Sequence, residues 1–239
     1  MENRHENGNP AVFSYDNMRR AVGIIALALP FLLSLGNILL TLIGPRHALP
    51  HPLLESCISN YYYTVTGRFL VGGLCAIAMF LMSCQGYDRN DEITGYLACI
   101  FALGVAFFPT TDPSVPHPSS FAKAVSDVHR GSAALLFLPL AYFCLFLFRK
   151  TSALRTPTRH KLMRNTVYAI CGWTIIGCIA VMTSLNIPAV SSFLAPINPL
   201  FTFESLALLA FGLAWLTKGN GILADDPREV EAQTLPPAA

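Results

Sequence analysis

Apolar runs close to the length a helix needs to cross a bilayer follow one another along this chain, cut apart by short stretches that hold most of its charge. Crossing a hydrocarbon core of ~30 Å takes about 20 helical residues, with a working range of ~17–25. Runs at 21–43, 63–85, 93–108, 131–148, 167–185 and 200–216 fit or nearly fit that length. Lipid offers the backbone no hydrogen-bond partners, so a segment this apolar spans as a helix or not at all. The alternating pattern of a membrane barrel is absent. Composition agrees, because 53% of the 239 residues are hydrophobic and 13% are charged. Soluble domains carry roughly 25% charge.

The expected fold is therefore all-α, a six-helix transmembrane bundle. Residues 1–20 form a cytoplasmic N-terminal segment, 21–216 the six-span domain, and 217–239 an acidic, Pro-containing tail expected to be disordered. The first run is longer than a signal-peptide core and lacks a small-x-small exit, so it reads as a retained span.

Orientation follows from the basic residues. The connection after the fourth run holds Arg149, Lys150, Arg155, Arg159, Lys161 and Arg164. Six spans put Arg4, Arg19, Arg20, Arg89, Lys218 and Arg228 on the same side. Only Arg46, Arg68, Lys123 and Arg130 fall on the other. Both termini are thus expected in the cytoplasm, in a cytoplasmic (inner) membrane. Tyr61, Tyr62 and Tyr63 would then lie at the outer interface, between the long loops 44–62 and 109–130. The basic connection also attracts anionic headgroups.

Rows of small or polar residues at helical spacing point to packing in lipid. Gly95, Cys99, Ala102 and Ala106 form one row, Pro30, Ser34, Asn37 and Thr41 a second, and Cys171, Thr174 and Cys178 a third. For Ser34 and Asn37 both packing and the lining of a permeation path stand open. Seven cysteines without a C-x-x-C indicate neither a disulfide framework nor a zinc knuckle. Cys57 alone falls in a loop.

Ionisable residues inside a membrane need a reason. Arg68 and Glu204 each lie about five residues from the outer end of their run, ~8 Å deep at ~1.5 Å per residue. Opposite charge at matched depth predicts an ion pair, Arg68 with Glu204. The outer loops also collect His47, His51, His117 and His129, with Asp112 and Asp127 close by in sequence. Three protein ligands and an open fourth position make a catalytic zinc site. Asp112, His117 and His129 are the candidate metal ligands and, with Glu204 as general base, the candidate catalytic set. Their spacing matches no motif, and Pro45, Pro50 and Pro52 argue against a helical metal pair at His47 and His51. Asp127, just ahead of the fourth run, reads as a helix N-cap.

The stretch Ser56-Cys57-Ile58-Ser59-Asn60-Tyr61-Tyr62-Tyr63-Thr64, followed by 69–73, resembles a recurring segment of uncharacterised bacterial multi-span membrane proteins. The likeness continues through Gly86-Tyr87 and 102–110. It implies a bacterial cytoplasmic membrane setting and carries no activity. In that family a basic residue and a polar or acidic one follow the tyrosines; Gly67-Arg68 stands there in this chain. Membrane hydrolases of the alkaline ceramidase and adiponectin-receptor type hold zinc among seven helices. Six runs, and the lack of their Ser-x-x-x-His pair and of a His-x-x-x-His pair within a span, argue against membership.

A net charge of +2 gives a nucleic-acid partner no electrostatic support. Neither a Gly-rich phosphate loop nor a serine nucleophile elbow occurs. The leading expectation is a non-enzymatic bundle that binds lipid, a lipophile, a second copy or a partner membrane subunit through its outer face. A metal-dependent hydrolase or transferase at the outer leaflet is the alternative, and a small transporter the third.

Overall fold

The computed structural model describes residues 15–43, 52–83, 88–150, 158–220 and 222–223. His47, His51, the first fourteen residues and the tail from 224 onward lie outside the described residues. Among the described residues the architecture is entirely helical, with no strand. Helix α1 spans Tyr15–Ile43, α2 Gly67–Ser83, α3 Arg89–Phe107, α4 Ser120–Tyr142 and α5 Arg159–Ser184. A short α6, Pro188–Leu194, leads through one 3₁₀ turn into α7, Pro199–Lys218. A separate 3₁₀ helix, Ile58–Tyr63, precedes α2 and is called the tyrosine turn below. Among the described residues four helices are long and apolar enough to cross a membrane: α1, α4 with its continuation to Leu147, α5 and α7.

Packing is cyclic. Each of α1 to α4 lies against the next in sequence, α7 packs on α5, and α1 closes the ring against α7. Small residues set the closure. A Cβ built on Gly23 would lie 2.8 Å from the Gly212 carbonyl oxygen, and one on Gly212 would lie 2.9 Å from the Gly23 carbonyl oxygen. The two backbones therefore meet where only hydrogen fits. Gly95, Cys99, Ala102 and Ala106 of α3 are buried, between α2 and α4. Large apolar side chains such as Phe31, Leu35, Ile100, Phe146, Ile170 and Trp173 are exposed, as expected of a surface solvated by lipid.

One end of the ring is held by cations. Arg20 donates to the Gly219 carbonyl (2.7 Å), so the start of α1 and the end of α7 lie together. Lys150 bonds Asp88 (2.9 Å) and Asp91 (2.5 Å). Lys161 reaches the carbonyls of Phe148 and Lys150. Just past Pro139, α4 widens into a π turn over Phe143–Leu147, the kind of irregularity a proline inside a helix tends to provoke.

Several expectations are corrected here. Helix α4 starts at Ser120, well before the apolar run, because Ser119 accepts from the Ala122 amide and caps it. Asp127 is thus inside the helix, paired with Arg130 on the exposed face, and caps nothing. The basic connection is in part helix, since α5 begins at Arg159 behind a Thr158 cap. Tyr61 is not an interfacial ring: it is fully buried, and its hydroxyl accepts from the Glu55 amide (3.2 Å).

Candidate functional site

At the end of the ring opposite Lys150, the tyrosine turn dips between helix ends. Tyr63 donates to the Thr110 carbonyl, Thr66 to the Leu33 carbonyl, and Asn60 to Ser56 Oγ. The Phe201 amide donates to the Ser56 carbonyl (3.1 Å), which fixes the start of α7 on the same segment. Gly67 is obligatory at its exit, because a Cβ there would collide with the Tyr62 carbonyl.

This scaffold presents Cys57 and Ser59 to a partly open cavity of about 380 Å³ walled by α4, α5 and α7. Its apolar wall includes Ala133, Ala134, Phe137, Ile179, Met182 and Leu200. Thr110, His129 and Glu204 are its other principal polar groups near the turn. A narrower recess of about 40 Å³ shares Ser59, Phe137 and Glu204 with it and is otherwise lined by apolar residues such as Leu70, Leu74 and Leu208. The larger cavity's volume falls within the ~300–1,000 Å³ usual for ligand pockets, and Arg130, Thr183 and Asn186 also line it.

Each predicted site residue has a definite place. His129 is 3% exposed and bonds at both ring nitrogens: Nδ1 to the Phe108 carbonyl (2.6 Å) and Nε2 to Ser59 Oγ (2.8 Å). Glu204 Oε2 accepts from the Ile58 amide (2.7 Å). Asp112 accepts from the amide and hydroxyl of Ser114, in a turn of its own. His117 is exposed. The structure therefore brings His129 and Glu204 to one cavity and leaves Asp112 and His117 out of it. Among the described residues no three of His, Cys, Asp and Glu are grouped to hold a metal ion. The structure does not gather Asp112, His117 and His129: Asp112 bonds Ser114 in its own turn, His117 is exposed, and both nitrogens of His129 are hydrogen-bonded.

The Arg68–Glu204 pair is corrected as well. Arg68 is exposed at the start of α2, and no salt bridge joins it to Glu204. Backbone N–H, not guanidinium, satisfies the carboxylate. In the polar row of α1, Ser34 bonds its own helix at the Pro30 carbonyl (2.7 Å), while buried Asn37 donates to the Leu53 carbonyl (3.1 Å). Asn37 thus anchors the loop that leads to the tyrosine turn.

Sequence reasoning missed Ser59, Cys57, Thr110 and the buried Glu55. The density of polar residues in 55–66, directly before an apolar run, was the available signal. Burial, and after it the charge of Glu204, pushes the Cys57 thiol far up. The hydroxyl of Tyr63 is also raised, by burial first and then by Asp112.

Comparisons with protein-family models, with curated proteins and with solved structures find no match to this chain.

Proposed function

We propose that this chain is a six-span membrane protein with both termini in the cytoplasm, and that its outer cavity takes one lipophilic molecule with a polar end. The cavity carries the reading: apolar walls from α4, α5 and α7 meet a polar patch of Ser59, Thr110, His129 and Glu204. An acyl or alkyl chain suits the walls, and its head suits the patch.

The positions of α2 and α3 support six spans. Both belong to the same ring as the four long helices. At 17 and 19 residues they reach ~25–29 Å at ~1.5 Å per residue, enough for a core of ~30 Å with slight thinning. The Lys150 end gathers the basic residues and so faces the cytoplasm. The segment 56–64 contributes Cys57 and Ser59 to the cavity, and its likeness to uncharacterised bacterial membrane proteins supports a bacterial inner membrane as the setting.

Photo-crosslinking tests the cavity. A fatty acid bearing a diazirine on its chain, added to purified protein in nanodiscs, is expected to mark peptides of α4 and α5. Ala134→Trp, which fills the cavity from an exposed wall position, should remove most of that marking. Equal marking of both proteins, or marks spread around the whole lipid-facing belt, would refute a specific cavity.

A further inference from the structure

The bonds of His129 define its protonation pattern. The Phe108 carbonyl only accepts, so in the neutral ring Nδ1 carries the hydrogen. Nε2 is then the bare nitrogen, and Ser59 Oγ donates its hydrogen to it across 2.8 Å. A serine hydroxyl on a histidine whose far nitrogen is held in place is the arrangement of an activated nucleophile and its base. Here a backbone carbonyl holds the ring where a carboxylate often does.

Both groups line the cavity, so the pair is presented to whatever occupies it. Cys57 lines it too, but burial raises its thiol pKa and so disfavours the thiolate that would attack. We infer that Ser59 is a catalytic nucleophile with His129 as its general base, and that the substrate is a carboxylic ester or thioester of a long acyl chain. The inference rests on the cavity reading above and adds the chemistry of its occupant.

The steps balance with water as the only co-reactant. Ser59 Oγ bonds to the acyl carbonyl carbon while its proton passes to His129 Nε2. The bond from that carbon to the alcohol or thiol oxygen or sulfur breaks, and the leaving group takes the proton from Nε2. Water then attacks the acyl-serine ester, giving a proton to Nε2, and Oγ recovers that proton as the free acid departs. Nothing is oxidised or reduced.

An alkyl fluorophosphonate is the probe, since it forms a stable phosphonyl ester with activated serines and releases fluoride. The full chain in nanodiscs is treated, digested and mapped by mass spectrometry, alongside Ser59→Ala and His129→Asn. Uptake of the diazirine fatty acid is measured on every protein. A phosphonyl adduct on Ser59, absent from Ser59→Ala and formed about 100-fold or more slowly in His129→Asn, is expected. Ser59→Ala leaves the bond from His129 to Phe108 in place, so it remains decisive if His129→Asn misfolds. Wild-type protein that takes up the fatty acid but gains no adduct on Ser59 overturns the nucleophile and leaves the cavity reading standing. An adduct only on other serines overturns it equally. An adduct on Ser59 without fatty-acid uptake keeps the nucleophile and removes the long acyl chain from the substrate.

Discussion

Glu204 lends its carboxylate to the Ile58 amide at 2.7 Å, and that bond fastens α7 to the tyrosine turn. Glu204→Gln retains an oxygen acceptor and is expected to unfold close to wild type. Glu204→Leu leaves a buried N–H unpaired and should lose about 1–3 kcal/mol. Thermal unfolding in matched micelles distinguishes them, and equal losses would mean the amide bond is unimportant. Gly67→Ala is expected to cost more than either, because backbone, not a flexible side chain, stands where the new methyl must go. The same residues show why the Arg68–Glu204 pairing failed. Counting residues from a run's end gives depth in the membrane but not azimuth around the bundle, and two groups at one depth still face different neighbours. Ser59 was illegible for a related reason: its partner is 70 residues away, and no spacing rule connects them.

Among the elements, the α1–α7 contact is the most sensitive to volume. Gly23→Val and Gly212→Val should each cost about 1–3 kcal/mol by forcing the backbones apart. Because they face each other, the double variant should fall short of the sum. Unfolding of all three in one detergent checks this, and strict additivity would contradict the reciprocal contact. Acid should loosen the opening of α3. Asp88 caps that helix by accepting from Asn90 and Asp91 amides, and a hydrogen bond from Lys150 holds its carboxyl below the usual carboxylate range. Its contribution is complete above the unfolded value of roughly 3.9 and fades as pH falls through the lower folded value. Protection factors of the Asn90 and Asp91 amides, taken against the intrinsic exchange rate at each pH, should fall over that acid range in wild type. Asp88→Asn, which caps without titrating, should flatten that dependence; an unchanged acid response would exclude Asp88 as its source. The small-residue row of α3 was visible in the sequence because it repeats at the helix period. The Gly23–Gly212 contact was not, since it joins single residues on the two helices at opposite ends of the chain.

For the whole molecule, the six-span reading places Ser114 and Thr158 on opposite sides of the membrane. Ser114→Cys and Thr158→Cys, each made in a background with the native cysteines replaced, should react with an impermeant maleimide from outside and inside respectively. Reaction of both from one side would end the six-span topology and, with it, the outer position of the cavity. Ring closure makes a second demand: α1 and α7 touch along their length, so pieces split in the connection between α4 and α5 should copurify when coexpressed. Separate elution of the halves would deny the closed ring.

The sequence by itself determined that this chain is helical, where its apolar, membrane-length segments fall, and which connections concentrate positive charge. Those properties are local, fixed by the hydrophobicity and charge of contiguous residues and by the lack of hydrogen-bond partners in lipid. The tertiary structure alone decided that α7 closes on α1, that Tyr61 is core, that Asp112 and His117 stand apart from His129, and that Ser59 meets His129 beside Glu204. Each of these depends on how segments distant in the chain pack against one another. That packing is set by side chains far apart in sequence, and no single run of residues encodes it.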